Sequence, residues 1–289
     1  RLSEESLVND RDFKVILIDD PSLNAFAAPG GIVGINGGLF LNAENEAQFA
    51  SVICHELAHL SQRHFQRNVL RSQDTNLAST LIMVSSIAIA LATNNPGAFL
   101  AGPALIQQES LRYSRSFERE ADRFGFENLI ASGYDPQSMG EMFENMAYLR
   151  RLYGDNIPEF LLTHPITTRR ITESRERARE YPSPGTIDSL NFQLIKKRVE
   201  FLMTDNLSIR SIEKEIGEND EDIYLRALIE KKKLNFTRSI ELLKSLEAKH
   251  PDNLIIKTSI AEVYTESGNI RKSKDLSLIH ISEPTRQFR

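Results

Sequence analysis

The apolar pattern of residues 46–70 constrains the fold of this chain more than any other feature. Phe49, Val52, Leu57 and Leu60 are among the apolar residues that recur there at three- and four-residue spacing. Such spacing places them on one face of an α-helix, so it predicts a helix with one side buried. The rest of the fold must supply the elements that cover that side.

The composition is that of a globular protein. The 289 residues are 40% hydrophobic and 26% charged, which excludes a disordered or fibrous chain. Lys and Arg number 35 against 40 Asp and Glu, and the net charge of −5 argues against a nucleic-acid partner, whose binders usually carry a basic face. Since Cys54 is the single cysteine, an internal disulfide and a multi-cysteine metal site are excluded.

Within the predicted helix the sequence reads His55-Glu56-Leu57-Ala58-His59, an H-E-x-x-H pattern. Residues four apart share a helix face, so both imidazoles can bind one ion. Neutral imidazole is a common zinc ligand, and a catalytic zinc site keeps one position open for water. Glu56 lies beside the ligands without being one, where it can take a proton from that water as the catalytic base.

A third ligand has to come from elsewhere. The metzincin class needs a glycine at 62 and a histidine at 65, but the chain has Gln62 and Phe65, so that class is excluded. Glu118, on a second predicted helix, would complete a two-His, one-Glu site. Asp122, one turn further on, would accept the second ring N–H of a ligand histidine. Glu120 points to a different face and is the weaker candidate.

Other patterns divide the chain into two domains. A β-branched run at 13–18 and a glycine-edged run at 31–40 predict a small antiparallel sheet within a first domain of residues 1–180. The Pro/Gly/Ser-rich segment 181–187 is the candidate linker. Helical patterns fill 188–274, so the predicted fold is α+β, mostly helical, with an all-α second domain.

Three further segments carry expectations. Residues 77–106 contain two strongly apolar runs, 77–92 and 98–106, and each is shorter than the roughly 18–20 residues that span a bilayer. We expect them either to pack on the core as a helical hairpin or to touch a membrane peripherally. Residues 220–274 resemble tetratricopeptide repeats of 34 residues, with Leu234 where the first unit would have a glycine. The tail 275–289 does not continue the repeats and resembles translated adaptor sequence, so we exclude it as an artefact.

Four segments in order, NAFAAPGG, HELAHLSQRH, EREADRFG and LLTHP, resemble the M48 zinc metallopeptidases. Together with the helical repeats they are similar to the periplasmic β-barrel assembly-enhancing group of Gram-negative bacteria. The resemblance implies a zincin-type domain, a hairpin near the active site and a role in outer-membrane protein quality control. It places the zinc ligands and the catalytic base on His55, His59, Glu118 and Glu56.

The resemblance also singles out His164, in the LLTHP segment. This histidine either stabilises the oxyanion of the tetrahedral intermediate, occupies the open zinc position and holds the enzyme latent, or packs beside the cleft. Arg170 either pairs with an acid such as Asp122 or is a surface charge. We expect Cys54 to be a small buried side chain. His64 and nearby arginines are expected to form a solvated basic face or a contact for acidic partners.

Two functions from different classes are expected. The first is a zinc-dependent endopeptidase, with one Zn²⁺ per chain, that cleaves misfolded or stalled outer-membrane and periplasmic proteins. Its run at 32–37 either holds substrate as an added strand or is an ordinary core hairpin. Its repeats would dock the client or the outer-membrane barrel-assembly machinery. The alternative is an assembly chaperone or adaptor that acts through the repeats and has a latent metal centre.

A third expectation, an inner-membrane-embedded peptidase, would need apolar segments longer than 77–92. The chain starts at Arg1 and shows no signal peptide, so we interpret it as a mature or trimmed fragment of a periplasmic protein.

Overall fold

The computed structural model describes residues 14–28, 30–71, 115–154, 157–185, 187–205 and 216–269, together with residues 2, 208, 209, 212, 213 and 271. Two compact units divide the chain between Ile187 and Asp188. The apolar segment 77–106 and the tail 275–289 lie outside the described residues. Within the described ranges, no helix is long and apolar enough to cross a bilayer. The predicted class, mostly helical α+β, is confirmed.

The first unit combines three short strands with helices. Its elements are β1 (Lys14–Ile18), β2 (Ala25–Ala28), β3 (Ile32–Asn36), α1 (Gly37–Asn42), α2 (Glu46–Ser61), α3 (His64–Arg71), α4 (Arg115–Ala131), α5 (Gln137–Tyr153), α6 (Glu159–Thr163) and α7 (Thr168–Ala178).

The sheet is mixed, with strand order β1-β3-β2. β2 and β3 form an antiparallel hairpin, whose turn includes Gly30 and Gly31 with φ of 84° and 72°. β1 pairs with the other side of β3 and runs parallel to it. The prediction of an antiparallel sheet is therefore wrong for β1. The turn residues specify the hairpin, but they do not specify which edge of β3 the preceding strand takes.

Of the two alternatives left open for residues 32–37, the core hairpin is the one observed. β3 is fully buried between β1 and β2, and α1 begins at Gly37. β2 is one of the two edge strands of the sheet, and it is the strand that contacts α2.

Asn45 caps the start of helix α2, where its side chain accepts a hydrogen bond from the Gln48 backbone N–H at 2.8 Å. Nearly the whole helix is buried. The prediction of one helix over 46–70 is wrong at its end, because the chain turns at Arg63, which has φ of 53°, before α3 begins. The apolar spacing continues across this turn, so periodicity alone does not reveal it.

The described residues of the second unit form helices and the turns that join them. Its main helices are α8 (Leu190–Met203), α9 (Asp220–Lys232), α10 (Phe236–Lys249) and α11 (Leu254–Glu266). Leu194, Tyr224, Leu243 and Ile260 are among the side chains of one buried core.

Two stretches of this unit repeat their local structure at an interval of 34 residues, the period of a tetratricopeptide unit. Asn219 caps α9 and Asn253 caps α11, each through its side-chain oxygen. Leu234 and Gly268, after the same two helices, both have a left-handed backbone, with φ of 64° and 79°. The tetratricopeptide assignment and the domain boundaries stay predictions.

A candidate metal centre between α2 and α4

Four buried side chains come together in the first unit: His55, His59, Glu118 and His164. One ligand atom from each lies within 4.8 Å of the others. The Nε2 atoms of His55 and His59 are 3.0 Å apart, and each lies 3.5 Å from a carboxylate oxygen of Glu118. His164 Nδ1 lies 3.0 Å from Glu118 Oε1. The structure thus places the three predicted ligands around one point, with His164 as a fourth donor beside them.

Close packing of α4 against α2 brings Glu118 to the histidines. Gly125 makes this approach possible, since a Cβ there would lie only 3.0 Å from the His55 backbone nitrogen and 3.1 Å from the Cys54 carbonyl. Cys54 itself is buried, as expected, and burial raises the pKa of its thiol. It is not among the clustered ligand atoms of the described residues.

The second ring nitrogen of His55 faces Asp122. His55 Nδ1 lies 3.1 Å from Asp122 Oδ1, the contact that the spacing of Glu118 and Asp122 predicts. Arg170 holds this carboxylate with two hydrogen bonds, from Nε to Oδ2 at 2.8 Å and from Nη2 to Oδ1 at 2.7 Å. Its Nη1 also lies 2.8 Å from Glu118 Oε2. Of the two roles left open for Arg170, the buried ion pair is the one observed.

The expectation of a solvated His64 is wrong. His64 is fully buried, and its Nδ1 lies 2.9 Å from Nδ1 of His59. Its Nε2 lies 3.2 Å from Glu120, which also accepts a hydrogen bond from Arg67 at 2.9 Å. Sequence reasoning missed this contact because, on a continuous helix, a residue five positions after His59 points about 140° away from it. The turn at Arg63 is what brings the ring back.

Buried carboxylates outnumber buried arginines among the described residues of the site. Glu56, Glu118 and Asp122 are three buried carboxylates, and the buried guanidinium of Arg170 contacts the last two. Although burial opposes ionisation, His164 and Arg170 hold the pKa of Glu118 well below its ordinary value. Burial likewise opposes a proton on His55, yet Asp122 and Glu118 raise its pKa to about 9. The carboxylates therefore favour positive charge at the centre of the cluster.

Burial disfavours a proton on the other two histidines of α2 and α3. Burial, together with His55, lowers the pKa of His59 well below its ordinary value. Burial lowers the pKa of His64 to about 4. A neutral imidazole is the form that binds metal ions.

These residues fit a divalent metal ion. Two imidazole nitrogens and a carboxylate converge at close range. Asp122 lies against the second ring nitrogen of His55, and Arg170 contacts the Glu118 carboxylate. The donor set of nitrogen and oxygen is one that zinc accepts, together with other first-row ions.

Glu56 lies next to the ligands and does not join their cluster. Burial raises the pKa of its carboxyl, and the backbone N–H of Ala27 opposes that effect. Its Oε1 is 3.7 Å from His164 Nε2. A buried carboxylate with a raised pKa is a better proton acceptor, as a general base requires.

Comparison with known proteins agrees with this geometry. Residues 1–178 match the family described as peptidase family M48. The chain is 36% identical over 188 residues to the β-barrel assembly-enhancing protease of Escherichia coli strain K12, covering 64% of this chain and 38% of that protein. Identity to the protein of the same name from Yersinia pestis is 34% over 189 residues, covering 65% of the chain and 39% of the relative.

A mitochondrial metalloendopeptidase of Saccharomyces cerevisiae is more distant, with 31% identity over 173 residues that cover 58% of this chain and 48% of that protein. The chain spans about two fifths of the length of the two bacterial relatives. The matched region contains all four clustered side chains and their buried partners. The chain therefore belongs to peptidase family M48.

Proposed function

We propose that this protein is a zinc-dependent endopeptidase of the bacterial envelope. The observation that carries the proposal is the convergence of His55, His59 and Glu118 at one buried point, with Glu56 beside them. The printed names of the bacterial relatives describe proteases that enhance β-barrel assembly, which supports the same kind of activity here.

The residues around the site have different roles in peptide hydrolysis. When bound, zinc would supply Lewis acidity toward the scissile carbonyl and the attacking water. Glu56 accepts the proton of that water and later hands it to the leaving amine. His164, whose Nε2 lies 3.7 Å from Glu56, is placed to donate a hydrogen bond to the developing oxyanion or to compete for the metal. Arg170 holds Glu118 and Asp122 in position without reaching Glu56 directly.

Substrate is proposed to add to the sheet at β2. In an antiparallel pair, hydrogen-bonded positions alternate, and Asn36 N–H donates to Asn24 C=O at 3.0 Å. The main-chain groups of Ala25 and Ala27 therefore point away from β3. Since Ala27 lies near Glu56, a peptide paired along this edge would pass close to the catalytic base.

We further propose that the substrates are misfolded or stalled outer-membrane and periplasmic proteins, and that the protein works in the periplasm. The helices of the second unit would dock the client or the barrel-assembly machinery. The names of the bacterial relatives and the 34-residue repeat of caps and turns support this assignment.

The test measures metal content and casein cleavage in the full chain. We expect one zinc per wild-type chain, cleavage lost with zinc retained in Glu56→Gln, and zinc lost in Glu118→Gln. Glu127→Gln is the matched control, because Glu127 is an exposed glutamate on the same helix. A wild-type chain without zinc, or cleavage that survives Glu56→Gln, would overturn the proposal.

A second candidate is an assembly chaperone or adaptor with a latent centre. It is favoured by the burial of the site, since Glu56 is 0% exposed and His164 2% exposed, with His164 among the ligand atoms. If His164 blocks the site, His164→Ala should raise cleavage. If the chaperone reading is right, Glu56→Gln should restore outer-membrane protein assembly in cells that lack the protein, and no variant should cleave casein.

A further inference from the structure

The turn between α2 and α3 has an unusual backbone. Arg63 is an exposed, non-glycine residue with φ of 53°, a left-handed conformation that costs an L-residue energy. Such strain persists only where the surroundings hold it, and it often accompanies a functional site. Here the turn directs the His64 ring back to His59, with ring centroids 4.8 Å apart.

Metal binding by His59 would assign the proton positions on both rings. His59 Nε2 faces His55 and Glu118, so it must be unprotonated when it binds a metal ion. The ring proton of His59 is then on Nδ1, where it donates to His64 Nδ1 at 2.9 Å. His64 in turn must carry its own proton on Nε2, which lies 3.2 Å from Glu120 Oε2.

Neighbouring groups hold His64 in this orientation. Its ring stacks on Phe117, with centroids 4.6 Å apart and planes 16° apart. The guanidinium of Arg67 lies 4.6 Å from the same Phe117 ring and donates to Glu120. A chain of contacts thus runs from Arg67 through Glu120 and His64 to His59.

We propose that His64 is a positioning residue that orients His59 and fixes its tautomer for metal binding. The inference rests on the metal site of the proposed function. The two ligand histidines are then held differently. A carboxylate, that of Asp122, faces His55, whereas an imidazole, that of His64, faces His59. Partners of this kind are generally worth about 10- to 100-fold in metal affinity.

The first test compares Zn²⁺ dissociation constants of full-chain variants by competition with a chromophoric chelator. His64→Phe keeps a ring that can stack on Phe117 but has no acceptor, and we expect affinity to fall about 10- to 100-fold. His64→Asn places an oxygen near the position of Nδ1, so most of the affinity should return. Affinity in His64→Phe equal to that of the wild type would overturn the inference.

Thermal unfolding separates positioning from a merely structural role. In chelator, the metal-free His64→Phe chain should melt near the wild-type temperature, while the rise in Tm on adding Zn²⁺ should shrink. A lower metal-free Tm with an unchanged Zn²⁺-dependent rise would overturn the inference in favour of a packing role. A wild-type chain that binds no Zn²⁺ would overturn the proposed function as well, which distinguishes the two failures.

The backbone provides an independent variant pair. Arg63→Gly accepts the left-handed conformation and should keep the wild-type Zn²⁺ affinity. Arg63→Val is β-branched and resists that conformation, so it should displace His64 and weaken Zn²⁺ binding as His64→Phe does. Equal affinity in Arg63→Gly and Arg63→Val would contradict the role assigned to this turn.

Discussion

Arg170 binds both carboxylate oxygens of Asp122, and the pair is buried, since the two side chains are only 4% and 3% accessible. Through Nη1 the same guanidinium lies 2.8 Å from Glu118. One cation from α7 thus joins a metal-ligand candidate to the carboxylate that faces His55. The consequence is that the site depends on a residue distant from the H-E-x-x-H segment in the sequence.

We expect Arg170→Ala to destabilise the metal-free protein by about 3–5 kcal/mol, because it leaves two buried carboxylates without their counter-charge. Arg169→Ala is the matched control. Arg169 is exposed and pairs with Glu173 on the surface, so its loss should cost at most about 1 kcal/mol. Urea unfolding in the presence of chelator measures both variants. Similar losses in the two would show that the buried network contributes little.

Gly125→Ala should weaken both folding and metal binding. The added methyl would meet the backbone of α2 at 3.0 to 3.1 Å, and a helix backbone cannot yield as a side-chain tip can. Overpacking of this kind costs roughly 1–3 kcal/mol and would move Glu118 away from the histidines. Denaturant unfolding and Zn²⁺ titration of the same variant test both effects. Ala131→Gly, at the end of α4, is not expected to change Zn²⁺ affinity.

Leu234→Gly should stabilise the second unit. Leu234 has φ of 64° and is 71% exposed, so glycine relieves the left-handed strain and removes little packing. Since glycine also loses more chain entropy on folding, we expect a net gain of about 0.5–1 kcal/mol. Leu234→Ala keeps the strain and should bring no gain. Thermal unfolding compares them, and equal stability of the two variants would contradict the role of the backbone.

The H-E-x-x-H segment was predictable because its three site residues lie within five consecutive positions of one helix. His55, Glu56 and His59 are fixed relative to one another by helix spacing alone. The same rule placed Glu118 and Asp122 on one face of a second helix, and the structure brings that face to the histidines. What spacing could not provide was the approach of the two helices, which depends on the missing side chain of Gly125.

The errors come from single backbone turns. His64 was predicted to be solvated and is buried, because Arg63 has a left-handed backbone that turns the chain just before it. The apolar pattern continues across this turn and does not reveal it. In the sheet, glycines mark the turn between β2 and β3, but the side of β3 that β1 takes depends on a connection without such a signal. The spacing of apolar residues indicates which face of a helix or strand is buried. It does not indicate where the chain turns between two elements, and so it does not indicate what that face contacts.

The last prediction concerns how a peptide is held at β2. Its outward main-chain groups, the N–H and C=O of Ala25 and the C=O of Ala27, would pair with every second residue of an added strand, while the Ala27 N–H faces Glu56. A series of synthetic peptide substrates, each with one N-methylated amide, tests this directly, because the methyl group removes a hydrogen-bond donor. We expect kcat/KM to fall at alternate positions by roughly 5- to 150-fold, the equivalent of about 1–3 kcal/mol for a lost buried hydrogen bond. Methylation at the positions between them should matter much less. A uniform response along the peptide would mean that the substrate does not extend the sheet, and a response limited to the scissile amide would mean that recognition is confined to the metal centre.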